Sequence, residues 1–541
     1  MRAKQFHPRS GSTMTSLRPV SRHGIGPAVL LVSLLLSGGS PAAASSPAQH
    51  TEAPTAAAAA QIAICPASIG FGETIQCAID APGEVDTYTF TAGPGDRVLV
   101  KMSKSSGELM PRIEVYEPGG DKVCEAGTVL STEIANCTLG AGGTYTIRAF
   151  GEYDKTKTGG YNLYLQRLNN PGNVLPIAFG QTLPGSILMP AQMDTYTFTA
   201  APGDRVLLRM GKSSGSLFPR IRVYDAGGDK VCEDGTYYLP TAEVEGCALA
   251  SGGTYMVLLS DDYGGTKMGD YYLHVQRLNG PVGPGSIGFG QTLSGSIPTP
   301  AQMNPYTFTA EPGDRVLLRM SQSSGSLLPG IRVYEAGGAK VCEAGTPLYK
   351  HMAEIAGCTL TGGGTYFVLA FDDYVGTNNT GGYHLYVQRL NNPGNGLPID
   401  RGAELVGTIV NPAQMDTYTF TITTSDTVRV RMRAVSGNLH PGIRLYGPDG
   451  TLLCEDEASG TAEITDCALP GSGAYTILAF DSSDGTCTGD YRLSLDCCTV
   501  NLPLILKTAA FSSDLDRFTA KSLRSSGLAR LTLGSTAQPS R

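Results

Sequence analysis

The chain has 541 residues, 16% of them charged, with 69 glycines, 34 prolines and a formal net charge of −8. Residues 1–60 and 501–541 each carry +4, so the region between them carries −16. An acidic body of this size makes nucleic acid and anionic membranes poor partners. The abundance of turn-forming residues, with many Tyr and Thr, favours all-β modules over helical bundles.

The first 44 residues have the pattern of a secretory signal peptide. Arg18 and Arg22 precede the apolar run from Ile25 to Leu36. A stretch of small residues, Ser40 to Ala44, follows, as is typical of a signal-peptide cleavage site. The run is too short to span a membrane comfortably, so we expect no stable membrane insertion. Residues 45–61 are rich in Ala, Ser, Pro and Thr and predict a disordered spacer. The sequence therefore predicts an extracellular protein.

One motif recurs four times in the remaining chain. Its copies begin at Asp86, Asp194, Asn304 and Asp416, which lie 108, 110 and 112 residues apart. A period near 110 residues is too long for solenoid repeats, so each copy should own a hydrophobic core. The predicted domains are residues 62–171, 172–281, 282–393 and 394–500, followed by a disordered tail over 501–541.

The first copy, taken in order, predicts about eight short strands separated by Gly- and Pro-rich turns. Tyr88 and Phe90 share one face of an early strand, and Val98 and Val100 share one face of the next. Turns every 8–12 residues are typical of antiparallel sandwiches. The predicted fold is all-β, with four tandem antiparallel, jelly-roll-like β-sandwiches joined as beads on a string by short linkers.

The cysteines agree with an oxidising compartment. Each copy holds one pair at a spacing of 13 to 16 residues, which suits a disulfide between neighbouring strands better than a metal site. The predicted pairs are Cys65–Cys77, Cys124–Cys137, Cys232–Cys247, Cys342–Cys358 and Cys454–Cys467. Cys487 is expected to pair with Cys497 or Cys498.

The order D-x-Y-x-F, P-G-D-x-V, I-x-V-Y-x-x-x-G, G-T-Y and T-G-G-Y-x-L resembles the bacterial pre-peptidase C-terminal (PPC) domain over residues 62–500. The resemblance implies a non-catalytic sandwich that accompanies exported enzymes. In collagenase relatives it can bind calcium and substrate polymer. This chain has no peptidase domain, and the acidic pair before the Tyr strand survives only as Glu84 and Asp86.

Two further patterns suggest ligands. Acidic loops follow the Gly-Thr-Tyr strand, and carboxylates beside Gly-rich turns can supply the oxygens that calcium needs. The candidate calcium ligands are Asp261, Asp262, Asp372, Asp373, Asp481 and Asp484. The tyrosine pairs Tyr237–Tyr238 and Tyr271–Tyr272 could stack on sugars, although strand tyrosines more often pack in a core.

No residue constellation predicts catalysis. Gly211 to Gly215 fits G-x-S-x-G, but no helix is predicted after it and no histidine lies nearby in sequence. We expect a secreted, non-enzymatic binding, adhesion or spacer protein that needs no cofactor, with calcium as an optional ligand. Its expected partner is an extracellular polysaccharide or protein polymer. The alternative is an accessory subunit of an exported peptidase or other hydrolase, in which case the partner is that enzyme.

Overall fold

A computed structural model describes residues 65–152, 155–346, 350–373 and 379–497. The predicted signal peptide, spacer and tail lie outside these ranges. All regular elements are strands, and they form eight sheets that pair into four sandwiches. The predicted class, all-β with tandem antiparallel sandwiches, is confirmed. The described residues contain no helix long and apolar enough to cross a membrane.

The first sandwich has eight strands in two four-stranded sheets, ordered β1-β8-β3-β6 and β2-β7-β4-β5. Its core is filled from both sheets, with Tyr88, Val100 and Tyr161 all fully buried. The strands are β1 (Glu73–Ile79), β2 (Asp86–Ala92), β3 (Arg97–Lys104), β4 (Pro111–Tyr116), β5 (Lys122–Gly127), β6 (Ser131–Thr138), β7 (Gly143–Gly151) and β8 (Gly159–Arg167).

The second sandwich repeats this plan in sheets β10-β17-β12-β15 and β14-β13-β16-β11-β9, where the short β9 pairs parallel to β11. Its strands are β9 (Leu175–Pro176), β10 (Gln181–Ile187), β11 (Asp194–Ala200), β12 (Arg205–Lys212), β13 (Pro219–Tyr224), β14 (Lys230–Gly235), β15 (Thr241–Ala248), β16 (Gly253–Asp261) and β17 (Gly269–Arg277).

The third sandwich has sheets β19-β26-β21-β24 and β18-β20-β25-β22-β23. Its strands are β18 (Gly285–Ser286), β19 (Gln291–Ile297), β20 (Met303–Ala310), β21 (Arg315–Gly325), β22 (Pro329–Tyr334), β23 (Lys340–Gly345), β24 (Met352–Thr359), β25 (Gly364–Asp372) and β26 (Gly381–Arg389).

The fourth sandwich has sheets β28-β35-β30-β33 and β27-β29-β34-β31-β32. Its strands are β27 (Leu397–Pro398), β28 (Ala403–Ile409), β29 (Met415–Ile422), β30 (Asp426–Ala434), β31 (Pro441–Tyr446), β32 (Leu452–Glu457), β33 (Thr461–Leu469), β34 (Gly473–Asp481) and β35 (Gly489–Cys497). In each sandwich we call the sheet that holds the first long strand (β1, β10, β19 or β28) the downstream sheet, and the other the upstream sheet.

Disulfides tie the two sheets of each sandwich together. The structure places all five predicted cysteine pairs within disulfide distance, with Cα atoms 5.5–6.2 Å apart. Four of these pairs join the edge strands of opposite sheets, such as β5 and β6 through Cys124 and Cys137. Cys487 forms no disulfide with a described residue. Cys498 and the side chain of Cys497 lie outside the described part of the chain.

Candidate functional site

Neighbouring sandwiches pack directly against each other. In the first three sandwiches, the outer face of the downstream sheet contacts the upstream sheet of the next sandwich, and the contact is apolar and buried. The first interface contains Leu99, Tyr164, Leu168, Met193, Tyr224, Met256 and Leu258; the second contains Leu207, Leu278, Met303, Tyr334, Phe367, Leu369 and Phe371; the third contains Leu317, Tyr386, Leu390, Met415, Tyr446, Leu478 and Phe480. The sandwiches predicted as beads on a string are therefore in direct contact. Their interfaces add three small hydrophobic clusters to the four hydrophobic cores inside the sandwiches.

An ion cluster lies in each of these interfaces. In each cluster, one glutamate of the preceding sandwich's downstream sheet is shared between a basic residue of that same sheet and an arginine of the next sandwich. The clusters are Lys101–Glu133–Arg222 (3.5 and 2.6 Å), Arg209–Glu243–Arg332 (3.7 and 2.5 Å) and Arg319–Glu354–Arg444 (3.1 and 2.5 Å). Because the three charges of each cluster have left bulk water together, the removal of one leaves the others poorly compensated.

The electrostatics of the first cluster show how this pairing works. Burial alone would raise the pKa of the Glu133 carboxyl, but Arg222 and Lys101 hold that pKa below its usual value. In the third cluster only 1% of the Arg319 side chain is exposed, and burial lowers the pKa of its guanidinium. The guanidinium of Arg319 also lies 4.8 Å from the ring centre of Phe480 in the next sandwich, a cation–π contact across the interface.

The predicted calcium ligands lie in loops whose first aspartate is already hydrogen-bonded. Asp261 accepts bonds from the backbone N–H groups of Phe218, Thr266 and Lys267 at 3.0–3.1 Å. Asp481 accepts equivalent bonds from His440 and Cys487, and Asp372 from Leu328 and Asn379. All three aspartates are buried, and burial raises the pKa of Asp372 to about 6. These carboxylates fix the conformation of their own loops.

The second aspartates of the three loops differ from one another. Asp262 forms an ion pair with Arg220 at 2.9 Å, and Asp484 lies 3.6 Å from Lys350 of the preceding sandwich. Burial raises the pKa of Asp373, against the opposing effect of Arg332. Calcium binding by these six carboxylates stays a prediction.

These acidic loops also contact the preceding sandwich. Arg209 donates a 2.6 Å hydrogen bond to the carbonyl oxygen of Asp372, and Arg319 donates one of 3.1 Å to that of Asp481. Ser321 adds a 2.6 Å bond to the carbonyl oxygen of Gly485. The loops were singled out in the sequence for their charge, but in the structure their backbone joins one sandwich to the next.

The second interface lacks a polar contact that the first and third possess. Gln166 donates to the Thr195 hydroxyl at 2.8 Å, and Gln388 donates to Thr417 in the same way. The equivalent glutamine, Gln276, is fully buried, and both of its amide atoms lack a described partner. The third sandwich has Pro305, which carries no hydroxyl, at the position of Thr195 and Thr417. Beside it lies the buried His274, whose Nε2 is also unpartnered.

Burial and the nearby Arg209 lower the pKa of His274 to about 3. Its Nδ1 lies 2.9 Å from the Thr182 hydroxyl. The first and third interfaces have the tyrosines Tyr164 and Tyr386 at this position. Since a buried polar group without a partner costs free energy, the second interface bears this cost at Gln276 and His274.

The two end faces of the array are polar. On the last downstream sheet, Arg429, Arg431 and Arg433 are exposed along β30, where β21 has the buried Leu317 and Arg319. On the first upstream sheet, Arg148 stands at the position of Leu258 and stacks 4.3 Å from the ring centre of Tyr116. The apolar packing residues of the internal interfaces are therefore replaced at both ends.

The start of the repeated motif has a role inside each sandwich that the sequence did not reveal. The hydroxyl of Tyr271 donates to Asp194 at 2.5 Å and lies 3.1 Å from that of Tyr196. The same hydrogen-bonded tyrosine pair with a carboxylate recurs in the first and fourth sandwiches. In the third sandwich Asn304 replaces the aspartate and donates to the tyrosine hydroxyl. Burial raises the pKa of Asp194. This network explains why Tyr271 is a core residue and not a sugar platform.

No family model matches the chain, and no curated protein matches it. Among solved structures, the pre-peptidase C-terminal domain of collagenase from Bacillus anthracis is 19% identical, with a TM-score of 0.17. The alignment covers 20% of this chain and 99% of that one. The CUB1-EGF-CUB2 region of human MASP-1/3 is 11% identical, with a TM-score of 0.12, over 37% of this chain and 99% of that one. The resemblance to the PPC domain, in four copies, stays a prediction.

Proposed function

We propose that the protein is a secreted, non-catalytic array that acts outside the cell as a stiff spacer and binding module. The observation that carries this proposal is the set of three interfaces, each with an apolar cluster and a buried ion cluster. Tandem domains joined only by linkers move independently, whereas large apolar interfaces restrict that motion. An array of this kind holds its sandwiches at fixed separations.

Stiffness is useful to a protein that binds a polymer. Several weak sites held at fixed spacing engage a repetitive ligand with much smaller entropic loss than sites on flexible tethers. The five cysteine pairs at disulfide distance support work in an oxidising compartment. The signal-like pattern of residues 1–44 supports export.

Small-angle X-ray scattering of residues 62–500 tests the spacer role. We expect the profile of one rigid particle, and we expect a triple variant, Glu133→Gln, Glu243→Gln and Glu354→Gln, to give the profile of a flexible chain. A matched control, Glu404→Gln, removes an exposed glutamate that pairs with Arg492 on the end face. A flexible profile for the unaltered protein would refute the proposal.

Co-sedimentation with insoluble polymers, with calcium and with chelator, tests the binding role. Retention by one polymer would support an adhesive module, and its loss in chelator would assign calcium to the acidic loops. If no polymer retains the protein but it copurifies with an exported hydrolase, the accessory role replaces this one.

A further inference from the structure

Three loops at one end of the second sandwich bring an unusual set of aromatic rings together. Tyr238 lies in the connection between β14 and β15, Phe218 just before β13, and Tyr263 between β16 and β17. The ring centre of Phe218 is 6.3 Å from that of Tyr238 and 5.8 Å from that of Tyr263. With the adjacent Tyr237, these residues form what we call the aromatic patch.

The patch is open to solvent. Tyr237, Tyr238 and Tyr263 are 57%, 81% and 42% exposed, and within the described ranges they account for every large aromatic side chain of such exposure. Leu239 and Met268, on the same loops, are exposed as well. Contiguous apolar surface of this kind on a soluble protein is typical of an interaction site.

The fold does not require these rings. None of the three tyrosines belongs to the core of the second sandwich, which is closed by other residues. The equivalent loop of the first sandwich has Val129 and Leu130, so the same turn is built there without an aromatic residue. Tyr237 and Tyr238 are therefore extra to folding, and a ligand is the simplest use for them.

Two lysines give the patch its charge. The ammonium of Lys212 lies 5.8 Å from the ring centre of Phe218, and that of Lys267 lies 5.2 Å from the ring centre of Tyr263. Neither ammonium forms an ion pair with a carboxylate of the described residues, whereas Lys122, Lys230 and Lys340 each do. The neighbouring carboxylates of Asp261 and Asp262 are already held by backbone N–H groups and by Arg220, so the two unpaired ammonium groups are the charges that an anionic ligand can neutralise.

We propose that the aromatic patch binds an acidic polysaccharide, a sugar polymer whose units carry carboxylates. The flat faces of the tyrosines stack on the C–H faces of the sugar rings, while their hydroxyls remain available for hydrogen bonds. The two ammonium groups pair with the sugar carboxylates. A nucleic acid would also offer rings and negative charge, but two lysines on an acidic body are too few for a continuous polyphosphate. This proposal rests on the proposed binding role and gives it a site and a ligand class.

Affinity electrophoresis of the whole secreted protein in gels containing polygalacturonate tests the site. Dextran gels and single-stranded DNA provide the comparison. We expect retardation by polygalacturonate alone, with an affinity at least tenfold lower for Tyr237→Ala/Tyr238→Ala. Lys212→Gln/Lys267→Gln should lower it by a similar factor at low salt and little at high salt. Val129→Ala/Leu130→Ala, in the equivalent loop of the first sandwich, should bind normally.

Each other outcome overturns the proposal. Equal retardation by dextran, or normal binding by the lysine variant, would exclude recognition of the acidic groups. Normal binding by the tyrosine variant would place the ligand elsewhere, and preference for DNA would assign another class of macromolecule. Scattering profiles of the same variants separate this result from the spacer role, because the patch residues lie outside the ion clusters. A rigid profile without polysaccharide binding would refute the patch and leave the spacer intact.

Discussion

Glu354→Gln is the most direct test of the buried ion clusters. The substitution keeps the size of the side chain and removes its charge. Arg319 and Arg444 lie 3.1 and 2.5 Å from the Glu354 carboxylate. After the substitution Arg444 would keep the more exposed Glu455 and Glu457, at 3.2 and 3.9 Å, whereas the buried Arg319 would lose its ion-pair partner. The Arg319 and Arg444 side chains are only 1% and 13% exposed, so water cannot take the place of the carboxylate.

Breaking a buried ion cluster by removal of one member costs about 3–5 kcal/mol. The third and fourth sandwiches together span about 200 residues, and in a unit of that size each kcal/mol lowers Tm by about 2–4 °C. We therefore expect the calorimetric transition of this pair to fall by roughly 6–20 °C. Differential scanning calorimetry of the whole protein measures this transition, which is resolved when the first two sandwiches melt at a different temperature.

Glu404→Gln is the matched control. Glu404 pairs with Arg492 on the open end face, where the two side chains are 53% and 44% exposed. An exposed ion pair contributes about 0–1 kcal/mol, so this variant should melt within a few degrees of the unaltered protein. A Glu354→Gln transition that moves no further than the control would refute the view that the ion clusters hold the sandwiches together.

Three other variants test particular contacts. Pro305→Thr should give buried Gln276 the hydroxyl that it lacks and stabilise the second interface by about 1 kcal/mol, measured by calorimetry; an unchanged or lower Tm would contradict this. His274→Tyr should remove an acid-sensitive group. The folded pKa of His274 is about 3, below its usual 6.5, so its neutral form contributes stability that is complete above pH 6.5 and is lost as pH falls toward 3. The Tm difference between the two proteins should therefore change between pH 7 and 4 in favour of the variant, and a constant difference would exclude the effect. Cys232→Ser/Cys247→Ser should cost about 2–4 kcal/mol of unfolding free energy in denaturant, and the difference should vanish when both proteins are fully reduced before unfolding.

The sandwiches were predictable because their evidence is local. Alternation along single strands, turn residues at regular spacing and one cysteine pair per copy each specify a neighbour close in sequence, and repetition multiplies the evidence. The buried Tyr271 shows the limit of such patterns. Because Tyr271 is adjacent to Tyr272 in the sequence, the two suggested a platform for sugar stacking. The strand register instead directs the Tyr271 side chain into the core, where its hydroxyl donates to Asp194.

The interfaces were missed although the sequence contains a signal for them. In β12, Val206, Leu207 and Leu208 are consecutive and all buried, as expected for a strand covered on both faces. In β30 the equivalent residues alternate strictly between apolar and arginine, as expected for a strand with one open face. Hydrogen bonds between side chains and the backbone could not be predicted from the sequence. No sequence pattern indicates that the Asp261 carboxylate accepts hydrogen bonds from three backbone N–H groups of nearby loops.

The polar end faces bear on how such an array could change in length. An added sandwich at either terminus would meet Arg148 or Arg431 where the internal interfaces have packing residues, and it would dock poorly. A copy of the second or third sandwich inserted in the middle would meet matching surfaces on both sides. Duplication of an internal sandwich thus preserves the packing residues of both new interfaces, whereas the two end faces present arginines in their place.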